Sequence, residues 1–294
     1  MVKKKKSRGL WADAMFRFKK NKLATAGLIF ILILTLVALG TMVIDLVTHQ
    51  SFYDNYVIKQ NLRNRLQAPT MAHIFGTDEF GRDMFFRMIW AIRYSLFMGT
   101  VAIFLSTIVG GFLGAISGFY GGRLDDIIMR CMDVLLAIPS MLFAIAIVAA
   151  LGPSIINVLI AIAISYVPTF ARTVRASVLT IKDQEFIEAA RAIGSSDRRI
   201  IFKHIIPNSM APLIVQATLG VAGAILSIAG LSFLGLGIQP PTPEWGAMLS
   251  NARTYIRNSW HITVVPGVGI MLTILALNVI GDGFRDALDP KLKN

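Results

Sequence analysis

The segment KDQEFIEAARAIGSSDRRIIFKHIIPN, from Lys182 to Asn208, is a charged island between apolar runs. Its first half sets Phe186, Ile187, Ala190 and Ile193 on one helical face and Glu185, Glu188 and Arg191 elsewhere. Gly194 follows where a left-handed residue would stop that helix. Ser195 or Ser196 can then cap a second short helix, Asp197 to His204, which Pro207 terminates. Two such helices joined at a glycine make a compact knuckle. Helices this short are marginal in water, so neighbouring helix ends or a partner's groove must hold them.

Outward from the island the chain is oily. Of its 294 residues 55% are hydrophobic and only 16% charged, and its mean hydropathy is +0.64; a soluble domain carries about a quarter charged residues. Soluble and disordered classes are therefore excluded. A bilayer core of roughly 30 Å needs about 20 helical residues to cross it. Six stretches qualify: Leu23 to Val47, Tyr94 to Tyr120, Asp133 to Leu151, Ser154 to Ala171, Ala211 to Gly237 and Ile262 to Ile280. The first is too long for the apolar region of a cleaved signal peptide and reads as an uncleaved span. The fold class is an all-α polytopic membrane protein with six transmembrane helices. Its lone cysteine, Cys131, excludes an internal disulfide, and His49, His73, His204 and His261 have no partners at metal-ligand spacing.

The net charge of +12 could mean nucleic acid, an anionic membrane surface or an oriented membrane protein. Sorting the basic residues by hydrophilic segment places 21 on the side of both termini and the island, and 8 on the other. That asymmetry predicts cytoplasmic termini and a cytoplasmic island, and it removes the support for a nucleic-acid partner. Trp11 to Lys22 alternates apolar and basic residues as an interfacial helix would.

Within the spans, Gly110, Gly114, Gly118 and Gly122 recur every four residues, a stripe that lets another helix approach closely, whether a neighbouring span or a second subunit. Pro139 and Pro168 can kink the third and fourth spans. Asp126, Arg130 and Asp133 are spaced for a local ion-pair ladder, and Asp45 lies near the outer end of the first span. No carboxylate is central, which weakens an ion-coupled carrier. On the outer side Thr242 as N-cap, Pro243 and Glu244 start a helix carrying Trp245, Met248 and Leu249. It would serve either as an interfacial anchor or, through Trp245, Ser250 and Asn251, as a docking surface. Asp78, Glu79 and Asp83 lack the alternation of a calcium loop; Gly76 and Gly81 point to a shaped turn, with Arg82 and Arg87 either pairing locally or meeting lipid phosphates.

Glu188-Ala189-Ala190, then Gly194, then Ile206-Pro207 resemble the EAA coupling motif of permease subunits of ATP-binding-cassette importers. GTDEFGRD (Gly76 to Asp83), IRYSL (Ile92 to Leu96), LSFLGLGIQPPTPEWGAML (Leu231 to Leu249) and GDGFRDALDPK (Gly281 to Lys291) resemble the peptide/nickel branch. The resemblance runs from about His73 to the C-terminus. It implies the type I importer permease fold (MetI-like) in a prokaryotic inner membrane. The implied partners are a similar second permease, two cytoplasmic ATPases that bind ATP-Mg, an extracytoplasmic solute-binding protein and membrane lipids. Glu188, Ala189, Ala190, Arg191, Gly194, Ile206 and Pro207 would then form the ATPase-coupling surface.

The sequence fits these implications. No Gly is followed by Lys, so the chain has no phosphate-binding loop of the Walker type, and no cofactor is expected on it. It is expected to be a non-catalytic subunit for short peptides, nickel complexes or related solutes. The alternative is a carrier or channel that works without ATPase partners. The expected organisation is a basic tail (1–22), the first span (23–47), an external loop (48–93), a five-helix core (94–281) carrying the coupling loop (177–210), and a tail (282–294).

Overall fold

The computed structural model describes residues 10–288. Helices α1 (Leu10–Lys20) and α2 (Lys22–Val47) lead into an irregular stretch with a π-helical turn at Tyr53–Ile58. Then come α3 (Met84–Tyr120), α4 (Gly122–Ala137), α5 (Ser140–Leu151) and α6 (Ile155–Ile181). The knuckle follows as α7 (Glu185–Ala192), α8 (Asp197–Ile200), a π-helical turn (Ile201–Ile205) and α9 (Ile206–Asn208). The chain finishes with α10 (Met210–Phe233), α11 (Trp245–Ala252) and α12 (His261–Leu288). Helices α2, α3, α6, α10 and α12 are each long and apolar enough to cross a membrane, and α4 with α5, bent by 86° to one another, adds a sixth when the pair is taken as one span. The side bearing the knuckle is called the knuckle face below, and the opposite side the far face.

Parallel packing of α3 on α6 forms the spine. A Cβ on Gly110 would lie 2.5 Å from the Val167 carbonyl oxygen, one on Gly114 would fall on the Ala171 carbonyl, and one on Gly118 would lie 2.8 Å from Val178 Cβ. The glycine stripe therefore serves contact between spans of the same chain, with backbones close enough for dense dispersion contact. Ser106 ties the pair, its hydroxyl donating across the interface to Ala163 O at 2.7 Å. Gly122 does not belong to this stripe: it begins α4 and a Cβ there would meet nothing within 4 Å. Elsewhere α2 lies on α12 at Gly27, where a Cβ would sit 2.9 Å from Ala276 O. The interfacial helix α1 folds under α12, with Phe18 buried against Phe284 at 4.6 Å between ring centroids.

Several boundaries differ from those the sequence suggests. The third apolar stretch starts at Gly122 rather than Asp133 and is the bent α4–α5 pair, broken at Pro139, where the sequence predicts a kink: Pro139 cannot continue α4, and Ile138 is extended. Helix α3 begins ten residues before Tyr94, α6 runs on past Ala171 to Ile181, and α12 reaches Leu288 rather than ending near Ile280. Hydropathy sees only the part of a helix that crosses lipid; all three continue beyond it where protein packing sustains them. The tail expected from 282 is thus mostly helical, with 289–294 outside the described residues. Pro207 does not end the second knuckle helix. It sits in the first turn of α9, where a missing N–H costs nothing.

The packing predicts a difference between adjacent glycines. Gly114→Ala should lower the midpoint of thermal unfolding in detergent by several degrees, since overpacking costs about 1–3 kcal/mol. Gly111→Ala, whose Cβ would meet nothing nearer than Val174 Cγ2 at 3.9 Å, should be neutral or slightly stabilising. Equal midpoints for the two variants would contradict the α3–α6 contact.

Candidate functional site: the knuckle and the helices beneath it

Helix α7 ends in a Schellman motif: Ser195 N donates to Ala190 O at 3.0 Å and Gly194 N to Arg191 O at 2.9 Å. Gly194 takes the required left-handed turn at φ +78°, and a Cβ there would meet nothing within 4 Å. Ser196 rather than Ser195 caps α8, accepting from Arg199 N at 3.4 Å. Ring contact of Phe186 with His204 at 6.4 Å joins the two halves of the knuckle.

One side of the knuckle is core. Ile187, Ala190, Ile200, Ile201 and Ile205 are buried in the same apolar cluster as Phe119 of α3 and Val174, Val178 and Ile181 of α6. The π-helical turn at Ile201–Ile205 widens the winding locally, and both Ile201 and Ile205 face this cluster. Arg191 lays its guanidinium over the Phe119 ring at 5.5 Å, a second grip on the end of α3. The other side is open. Glu188, Ala189, Gly194 and Pro207 are exposed, Ile206 is half-buried, and Ile193 and Phe202 show 83% and 55% of their surface. The helical face expected from the sequence is thereby split: Ile187 and Ala190 point inward, while Ile193 at the C-cap and Phe186 do not. Small residues flanked by two large exposed apolar side chains form a surface suited to burial by another protein.

Helix α4 follows the knuckle-side end of α3 and is set off at both ends by breaks in the helix. Gly121 and Gly122 both have positive φ, +65° and +56°, and the bend at Ile138–Pro139 closes the other end. Only Met132 of α4 is buried. Met132, Met129 and Leu135 pack on Val167 and Ala171 of α6, and charge adds to that contact. Arg175 donates from Nε and Nη2 to the two oxygens of Asp125 at 2.7 and 2.5 Å, Ser117 donates to the same carboxylate, and Arg172 reaches Asp133 at 2.5 Å. These inter-helix pairs replace the Asp126–Arg130–Asp133 ladder that spacing alone suggests. The forked Arg175–Asp125 pair is the stronger geometry, and the Arg172–Asp133 pair, about half exposed, adds little.

The far face is a polar scaffold. Asp83 caps α3 by accepting from Phe85 N at 2.8 Å and binds His73 Nδ1 at 2.7 Å. Asp78 takes buried Arg82 at 2.6 Å and Arg87 at 3.3 Å, while Arg82 also reaches Glu79. Burial and the neighbouring Asp78 push the Glu79 carboxyl up. These carboxylates are occupied by cations of the chain itself, and no group of three potential metal ligands occurs among the described residues. Glu244, not Thr242, caps α11, accepting from Ala247 N at 2.8 Å and from Ser95 Oγ at 3.2 Å. It is fully buried, which pushes its carboxyl up. Gly246 lets α11 press its backbone onto Ala229 of α10. Trp245 is consequently 2% exposed, its indole N–H directed at Met88 O, so it does not face outward as a docking residue would. Ser250 donates to Phe233 O at 2.7 Å, and Asn251 remains half-buried at the rim.

Comparison with known proteins agrees with this architecture. Residues 110–294 match the family described as the binding-protein-dependent transport system inner membrane component, and residues 9–69 match the N-terminal transmembrane domain of oligopeptide transport permease C. The dipeptide transport system permease protein DppC of Alkalihalophilus pseudofirmus is 51% identical over 97% of this chain and 91% of that protein. The di/tripeptide permease DppC of Pseudomonas aeruginosa is 46% identical over 94% and 91%. The glutathione transport permease GsiD of Escherichia coli is 44% identical over 100% and 94%. Among solved structures, a chain of the inward-facing MetNI methionine ABC transporter superposes with a TM-score of 0.58 over 69% of this chain and 97% of that one, at 18% identity. That likeness concerns the fold. With close-packed spans, a surface knuckle and these matches along nearly its whole length, the chain belongs to the family of binding-protein-dependent transport system inner membrane components.

Proposed function

We propose that this chain is a permease subunit of a peptide importer, with its knuckle in the cytoplasm and docked in a groove of an ATPase subunit. The observation that carries the reading is the two-sidedness of the knuckle: Ile187, Ala190 and Ile205 are locked into the α3–α6 core while Ile193, Phe202 and Ala189 face outward. A push on the outer side would reach the spans without an intervening loop. The charge asymmetry of 21 against 8 supports the orientation, and the names of the relatives, dipeptide, di/tripeptide and glutathione permeases, support peptide cargo. ATP-Mg would be bound and hydrolysed on two partner ATPases. A homologous second permease would complete the translocation path, and an extracytoplasmic binding protein would deliver substrate to the far face near Ser250 and Asn251.

In this mechanism closure of the ATPases moves the knuckle, and with it the ends of α3 and α6 that Phe119, Val178 and Ile181 fix to it. Helix α4, hinged at its glycines and held by Asp125–Arg175, follows or is released, which opens the path toward one side or the other. The chain contributes no bond-making chemistry. Its task is to transmit displacement and to switch between two packings.

Two measurements test this account in the assembled, reconstituted complex. Gly194→Leu forces a branched side chain into a left-handed residue, a strain of about 1–2 kcal/mol, and adds bulk on the open side only. It should abolish peptide-stimulated ATP hydrolysis while leaving membrane insertion intact, whereas Gly194→Asn, which tolerates that geometry, should keep much of it. Unchanged transport in Gly194→Leu would refute the docking. Cys131, exposed on α4 and alone in the chain, reports on the second step. Arg175→Gln should raise its rate of reaction with a maleimide several-fold and reduce its dependence on nucleotide; an unaltered rate would show that the ion pair does not hold α4.

A further inference from the structure

Between the far end of α2 and the first half of α3, next to Ile155 at the start of α6, lies a recess of about 800 Å³. Its sides are apolar: Met42, Leu46 and Phe97 are among the lining residues, and on these spanning helices Leu46 and Phe97 are 78% and 55% exposed. Its far end is polar, lined by Asp45, His49, Gln50, Arg93 and Tyr94. Asp45 stands two residues before the end of α2, so the polar end lies where the span stops and lipid headgroups begin.

Arg93 is placed there by several contacts. Its Nη1 donates to Asp45 at 2.5 Å, its Nη2 to Tyr94 Oη at 3.2 Å, and its guanidinium lies over the Tyr53 and Tyr94 rings at 5.6 and 4.9 Å. Asp45 is further fixed by Trp90 Nε1 at 3.0 Å. Arg93 Nε is left over, buried and without a hydrogen-bond partner. An unmatched buried N–H is costly, so a small tilt of the guanidinium that brings it to an acceptor in the recess would be favoured. The turn that follows α2 adds a second sign of a ligand. His49 and Gln50 are consecutive non-glycine residues at positive φ, +47° and +62°, both lining the recess. Such conformations cost on the order of 1–3 kcal/mol each and collect at ligand clamps.

We propose that the recess holds one phospholipid of the leaflet at the far face, its phosphate accepting from the exposed His49 and Gln50 side chains and from the Arg93 guanidinium once it tips toward the recess, and an acyl chain lying along Met42, Leu46 and Phe97. The amphipathic division favours a lipid over a free solute, because the apolar walls are continuous with the membrane-facing surface of both helices. It also accounts for the sparse packing of α2, whose buried residues are only Ala24, Gly27 and Thr41. The lipid would fill the wedge between α2 and α3 that side chains leave open. This inference does not depend on which cargo the permease carries or on how it is driven.

The test uses the assembled complex in nanodiscs of phosphatidylethanolamine and phosphatidylglycerol containing a tracer phospholipid with a photoreactive acyl chain. Crosslinks should concentrate in the peptides spanning 42–50 and 93–98, about tenfold per exposed residue over the stretch 104–112, where Phe104, Ile108 and Phe112 also face outward, a ratio equivalent to about 1.4 kcal/mol. Leu46→Trp, which fills the recess without touching a charged group, should remove that excess. Arg93→Gln should reduce the phospholipid retained by the purified complex in native mass spectrometry. Even labelling around the helices, an excess that survives Leu46→Trp, or crosslinking of the recess to the second permease in place of lipid would each overturn the proposal.

Discussion

Everything in this molecule that could transmit motion depends on the close approach of α3 and α6. Gly110, Gly114 and Gly118 remove the side chains that would hold two helices apart, so the backbones meet at Val167, Ala171 and Val178. Because the two helices run parallel, their knuckle-side ends arrive together. Phe119 at the end of α3 and Ile181 at the end of α6 can then share one apolar cluster with Ile187 and Ile205 of the knuckle. A larger residue in the stripe would separate those ends and detach the knuckle from half of its footing. The same spacing lets Ser117 of α3 and Arg175 of α6 meet on one carboxylate, Asp125, and so positions α4.

The two faces of the protein use charge differently. On the far face Asp78, Arg82 and Arg87 are all nearly inaccessible, and Arg87 also donates to the Val57 and Pro241 carbonyls at 3.4 and 3.3 Å. Such a buried network contributes little net stability over an apolar core, yet removing one member costs about 3–5 kcal/mol because its partner is stranded. It rigidly joins the loop before α3 to the loop before α11. On the knuckle face the Arg172–Asp133 and Arg175–Asp125 pairs are more exposed and so easier to exchange.

Much of this was legible in the sequence, and the limits have physical causes. Six crossings follow from hydropathy, and the left-handed stop at Gly194 follows from residue type. The glycine stripe announced a close contact; that its partner is α6 required the fold. Pro139 marked the place of the bend in the third span but not its size of 86°, because proline inside a span often only kinks it. Arg172 and Arg175 pair with carboxylates some forty to fifty positions away, whereas helical spacing displays only local partners such as Asp126 and Arg130. Trp245 and Glu244 look like surface residues of an outer helix. Gly246 allows α11 to sink onto Ala229 of α10, and that burial, set by a residue seventeen positions distant, cannot be seen locally. At the knuckle, the small residues of the motif were apparent, while the outward projection of Ile193 and Phe202 depends on the Schellman turn and the π-helical winding that follow it.

The central claim is that the knuckle and the α3–α6 spine move as one body. Spin labels at Ile193, on the open side of the knuckle, and at Phe112, on the exposed side of α3, measure this within a single chain once Cys131 is replaced by serine. Pulsed dipolar distances in the assembled complex, with and without ATP, should give superimposable distributions. A nucleotide-dependent shift larger than the width of the distribution would mean that the knuckle hinges on its own and would contradict the account.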